Sequence, residues 1–100
     1  MKPRHQSSAR ALQRFEPEPN TAYTIETTAR ITHVARRDIL VYSRHGLVSP
    51  GVDAQLGYYF TEDAIRTLRY IEYLRSDCGV NLAGIKVILR LTNELERLRH

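Results

Sequence analysis

Asp77-Cys-Gly-Val-Asn-Leu-Ala-Gly-Ile-Lys-Val-Ile-Leu-Arg-Leu91 joins two helices through a turn marked at both ends. Gly79 can take the left-handed conformation that closes a helix. Asn81 is a good N-cap, because its short side chain reaches the free N–H groups of a new first turn. From Leu82 onward, apolar residues recur at helical spacing to the C-terminus. One helix therefore ends near Asp77, and a second runs from Leu82 to near the end. Leu82, Ile85, Ile88 and Leu89 are its expected inward residues.

Upstream, Thr61 is the expected cap of the helix that ends near Asp77, with Glu62 and Asp63 in its positive first turn. Ile65, Leu68, Ile71 and Leu74 form its inner stripe, flanked by Tyr70 and Tyr73. Before it, Leu47-Val48-Ser49-Pro50 is too short and too β-like for a helix. Gly51 to Gly57 reads as a loop, and Tyr58-Tyr59-Phe60 as a strand. Together they predict a small hairpin with Pro50 at its edge.

Earlier still, Thr24 caps a short helix over Ile25–Thr32, with Ile25, Thr28 and Ala29 inward. His33-Val34 turns the chain. A second helix runs from about Ala35 to His45 and stops at Gly46. Ile39 and Tyr42 share one face, leaving Arg36, Arg37 and Arg44 free to face outward. Two short helices joined by a tight turn and followed by a hairpin make a winged helix-turn-helix. The expected class is mainly α, with a β-hairpin wing and a C-terminal helix.

Residues 1–21 read as a tail and 22–100 as the folded domain. Met1 to Asn20 hold Pro3, Pro17 and Pro19, with Lys2, Arg4, Arg10 and Arg14 against Glu16 and Glu18. This stretch is either a disordered leader or a basic arm for phosphates, with room for a short helix over Ala9–Phe15.

Fifteen Lys and Arg against eleven Asp and Glu give the 100-residue chain a net charge of +4, which suits an anionic partner. A single cysteine, Cys78, permits no internal disulfide and fits a reducing cytoplasm. No apolar run approaches the roughly 20 residues that cross a bilayer, and the N-terminus has no apolar secretory segment. His5, His33, His45 and His100 lack ligand spacing, so neither a metal nor a cofactor is expected. No nucleophile–base pairing, P-loop or dinucleotide fingerprint is present, and an enzyme is not expected.

In the last helix, Ile88, Leu91, Leu95 and Leu98 are spaced three, four and three apart, as in a coiled-coil seam. Either these turns meet a second copy of the chain, with about 82–100 as a dimerisation helix, or they pack within it.

Tyr23-Thr-Ile25, Val34, Ile39, Tyr42, Gly46-Leu-Val-Ser-Pro50, Gly57-Tyr58, Phe60-Thr-Glu-Asp63 and Leu68 together resemble the DNA-binding domain of MerR-family transcription regulators over about residues 23 to 90. The stretch Gly79-Val-Asn-Leu-Ala-Gly-Ile85, followed by Glu94-Leu-Glu-Arg-Leu98, is similar to two branches. One is the family's heat-shock repressors. The other is the CbpM-type chaperone modulators, which share the fold but bind the J-domain of a DnaJ-like co-chaperone.

The resemblance implies a cytoplasmic, bacterial, dimeric regulator of heat-shock or chaperone genes that binds double-stranded DNA. Its second helix lies in the major groove, with Arg36, Arg37, Tyr42, Arg44 and Tyr58 as the DNA-contacting residues. Each has a plainer reading: an exposed charged face for the arginines, core packing for Tyr42, hairpin packing for a wing tyrosine. The chain also departs from the family pattern. Leu40, Val52 and Tyr59 stand where arginines usually stand, which gives weight to the co-chaperone reading. In that reading Arg66, Arg69 and Arg75 face the partner.

Overall fold

The computed structural model describes residues 21–99. The expected tail, including the helix over Ala9–Phe15 and the basic arm, lies outside the described residues apart from Thr21, as does His100. The elements in order are β1 (Tyr23–Thr24), α1 (Ile25–Thr32), α2 (Arg36–Arg44), β2 (Gly51–Asp53), β3 (Gly57–Phe60), α3 (Glu62–Glu72), a π-helical turn (Tyr73–Asp77) and α4 (Leu82–Arg99). This is a winged helix-turn-helix with a C-terminal helix.

Local chemistry sets the first half. The Thr24 hydroxyl accepts the Thr27 N–H at 3.2 Å and starts α1. The helix closes on His33, which is left-handed with φ 61°. The Thr32 hydroxyl donates to the Thr28 carbonyl at 2.7 Å and accepts the Val34 N–H at 3.3 Å, pinning the turn. Helix α2 ends at Gly46, where φ is 75°. There the Gly46 N–H reaches Ser43 O at 3.1 Å, and the Leu47 N–H reaches Tyr42 O at 2.9 Å. Those two bonds satisfy carbonyls that a helix end leaves open.

The wing differs from expectation. Gly51–Asp53 is a strand, not the start of a loop, and it pairs antiparallel with β3, Gly51 opposite Tyr59 and Val52 opposite Tyr58. Glycine is a poor strand former, which hid the strand. The outer end of the Tyr59 ring lies over Gly51, in the space a Cβ there would take. Asp53 Oδ1 accepts the N–H groups of Gln55 and Leu56 at 2.7 and 3.0 Å and closes the tip. A third strand was also unforeseen: β1 pairs with β3, giving the order β1-β3-β2. Two residues are too few to show an alternating pattern.

Helix α3 buries Ala64, Ile65, Leu68 and Ile71, and Leu74 continues the stripe. Thr61 occupies the cap position, but its side chain makes no capping bond. Tyr70 and Tyr73 stack outside, centroids 6.5 Å apart. The last turn is wider than α: the Cys78 N–H reaches back five residues to Tyr73 O at 3.2 Å. Gly79, with φ 71°, then reverses the chain, and Asn81 Oδ1 accepts the Gly84 N–H at 2.9 Å to start α4. Ile85 is buried, and Leu82, Ile88 and Leu89 pack against the core. From Asn93 to Arg99 every residue is exposed.

Candidate nucleic-acid interface

Helix α2 has two unlike faces. Ile39 and Tyr42 point into the core, while Arg36, Arg37 and Arg44 are exposed. Arg36 Nε lies 3.6 Å from Glu26 Oε2, a solvated pair that ties α2 to α1. Arg36 and Arg44 are eight residues apart, about 12 Å along the helix. The outer edge of α2 is therefore cationic at both ends.

At its C-terminal end, α2 meets the wing. Arg44 and Tyr58 line one shallow depression together with Leu40, Ser43 and Pro50. Tyr58 is half exposed, and its cross-strand partner Val52 is more exposed still. Leu40 sits inside the depression. Tyr59 turns away from it and packs over Gly51. Of the three positions where the resemblance implies an arginine, Val52 is exposed and Leu40 and Tyr59 are partly buried.

Tyr42 is placed differently from the other four residues singled out for DNA. It is 4% exposed. Its hydroxyl accepts Arg75 Nη1 at 3.2 Å, and the same nitrogen lies 3.3 Å from Asp38 Oδ2. Burial raises the Tyr42 hydroxyl above the ordinary phenol range, with Arg75 partly opposing that shift. The phenol thus keeps its proton at neutral pH and serves Arg75 inside the fold. Arg75 was not legible as a part of this surface, because no local pattern signals a contact across 33 positions.

All three arginines of the co-chaperone reading, Arg66, Arg69 and Arg75, are engaged within the chain. Arg66 pairs with Glu62 at 2.9 Å and with Asp63. Arg75 holds α2 as described.

On α4, Leu91, Leu95 and Leu98 are 56, 63 and 75% exposed, and Val87 joins the same row. Ile88, the first residue of the expected seam, packs on the core instead. The exposed row is thus Val87, Leu91, Leu95 and Leu98, spaced four, four and three.

No helix among the described residues is long and apolar enough to cross a membrane. Among the same residues, no group of three His, Cys, Asp or Glu side chains could hold a metal ion.

Comparison with known proteins agrees with this geometry. The model of the MerR HTH family regulatory protein matches residues 23–92. The chain is 35% identical over 82 residues to a protein described as putative heat shock protein HspR from Streptomyces coelicolor (strain ATCC BAA-471 / A3(2) / M145). The match covers 82% of this chain and 54% of that protein, so the chain spans about half the length of the curated relative. The family model is that of a regulatory protein, not of a co-chaperone modulator.

Proposed function

The chain belongs to the MerR HTH family of regulatory proteins, and from that premise we propose that it is a DNA-binding transcription regulator of heat-shock or chaperone genes. The carrying observation is the cationic outer edge of α2 beside the wing, with Arg44 and Tyr58 around one depression. In this reading α2 enters the major groove, and its N-terminal arginines, Arg36 and Arg37, reach base edges. Arg44 and Tyr58 hold phosphates and fix the register. Tyr42 supports the helix from beneath through Arg75. The link to heat shock is supported by the name of the relative.

Two copies pair through the C-terminal part of α4, covering Leu91, Leu95 and Leu98, with Ile88 at the start of the seam and Val87 beside it. A dimer presents two α2 helices to two half-sites and doubles a small contact set. The protein acts in the cytoplasm, where the DNA lies.

The test is fluorescence anisotropy with duplexes taken from upstream of chaperone genes and with scrambled duplexes, at low and physiological salt. The expected result is binding that weakens with salt and prefers the upstream duplex. Absence of salt-dependent binding at about 10 µM protein, within the usual range even for non-specific contact, would sink the reading.

A further inference from the structure

A second concavity opens on the other side of the end of α2, between that end and α4. It measures about 420 Å³, within the range of small-ligand sites, about 300–1,000 Å³. None of its lining residues lines the Arg44–Tyr58 depression. Lys86 and Arg90 stand on its α4 wall, four residues and about 6 Å apart on one face. Neither has an ion-pair partner among the described residues. Arg97 on the same helix is by contrast paired with Glu94. No carboxylate lines the concavity. Two uncompensated cations therefore repel each other across a space that holds no counter-charge.

The remaining lining has a definite chemistry. Leu47 and Leu89 supply an apolar patch, and Thr67, Asn93 and His45 supply hydrogen-bonding groups. We propose that this concavity binds a small organic anion bearing a carboxylate or a phosphate. The anionic group sits between the Lys86 ammonium and the Arg90 guanidinium, where each contact is charge-assisted. The carbon body lies on Leu47 and Leu89. Asn93 and Thr67 take its polar atoms.

Such a ligand touches Gly46 and Leu47, the residues whose two backbone bonds close α2 and lead to the wing. Occupancy is thereby coupled to the pose of α2. Coupling of this kind is reciprocal, so DNA changes the affinity for the anion by the same factor as the anion changes the affinity for DNA.

The test is calorimetric titration of the full chain without DNA, so it stands apart from the DNA-binding assay. The probes are succinate, inorganic phosphate and adenosine 5′-monophosphate, which separate a carboxylate from a phosphate source. At least one organic probe is expected to saturate with a Kd of about 1 mM or below. Lys86→Gln and Arg90→Gln should each weaken it about tenfold or more, while Lys86→Arg retains it. Arg36→Gln with Arg37→Gln should leave it within about twofold, as expected for distant sites. The proposal is overturned if no organic probe saturates by about 20 mM, well above a weak millimolar site. It is equally overturned if the Lys86 and Arg90 variants bind as the parent does, or if the Arg36 and Arg37 variant loses binding, which puts the anion on the α2 surface.

Discussion

Arg75, in the π turn after α3, donates to the hydroxyl of Tyr42 on α2 at 3.2 Å and also reaches Asp38 on the same helix. One guanidinium thus grips α2 at two points a turn apart, from an element packed beside it. The Tyr42 ring is buried, and only the hydroxyl end is within reach of the arginine. A buried phenol with a partner stays satisfied; removing the partner leaves it exposed to the cost of desolvation.

Tyr42→Phe is therefore expected to cost about 1 kcal/mol in urea unfolding, the usual worth of one such hydrogen bond. Arg75→Ala should cost a similar amount, and the double variant less than their sum, because the two changes delete one shared contact. If Arg75 positions α2 and does not itself touch phosphate, Arg75→Ala weakens DNA binding while leaving its salt slope unchanged. A slope reduced by about one would place Arg75 on the DNA instead.

Thr28 is fully buried, and its hydroxyl has no hydrogen-bond partner among the described residues. Its shape fits the α1 core face but its oxygen pays a desolvation cost with no return. Thr28→Val keeps the shape and removes the oxygen. It should raise stability by about 1 kcal/mol, read as a higher urea midpoint at an unchanged m-value. An unchanged or lower midpoint would show that the hydroxyl is satisfied in solution.

Arg37 and Arg44 are exposed on the proposed interface. Arg44→Ala, at a phosphate in the proposed pose, should weaken binding to all duplexes and lower the salt slope by about one, whereas Arg37→Ala, at a base edge, should cost most on the preferred duplex. For Arg44, a change confined to the preferred duplex marks base contact instead. Arg66→Ala is the control, since Arg66 is engaged with Glu62 and Asp63. It should leave both quantities as they were.

Leu91 and Leu95 contribute exposed apolar surface but no core contact. Leu91→Glu with Leu95→Glu should convert a dimer to a monomer in sedimentation velocity. Fold stability of the monomeric globule should change by no more than about 0.5 kcal/mol, as for other surface substitutions. DNA affinity should fall steeply, because the second half-site is lost. A chain that sediments as a monomer before substitution removes the dimer from the proposal.

The helices were legible because their ends carry their own chemistry. Thr24, Gly46, Gly79 and Asn81 each act through neighbours a few residues away, and all four sit where their residue types predict. The stripe of Ile65, Leu68, Ile71 and Leu74 is likewise a local regularity. Strand β2 was not legible, since glycine is a poor strand former and Tyr59 comes opposite Gly51 only in the fold. The α2 surface was half legible. Arg36, Arg37 and Arg44 follow from the helix period, but the retreat of Tyr42 into the core depends on Arg75, far away in sequence. On α4 Ile88 leans on the core and Val87 joins the open row, because a heptad rule fixes spacing alone, whereas the face left open is set by how α4 lies on the core.

The π turn of Tyr73–Asp77 holds one residue more than an α turn of the same reach. Each residue of an α-helix advances the chain by about 100°, so this single surplus residue decides the compass bearing on which Gly79 sends α4 away. The direction is counted out in residues rather than enforced by any one side chain. A deletion of Ser76, in the exposed part of the turn, would re-aim α4 by about 100° and swing the open row of Val87, Leu91, Leu95 and Leu98 with it. In a paired molecule that row sets how far apart the two α2 helices stand. In the proposed dimer, chain length at one exposed turn is thus a ruler for the spacing of half-sites, and it can be altered without changing any residue placed on the DNA.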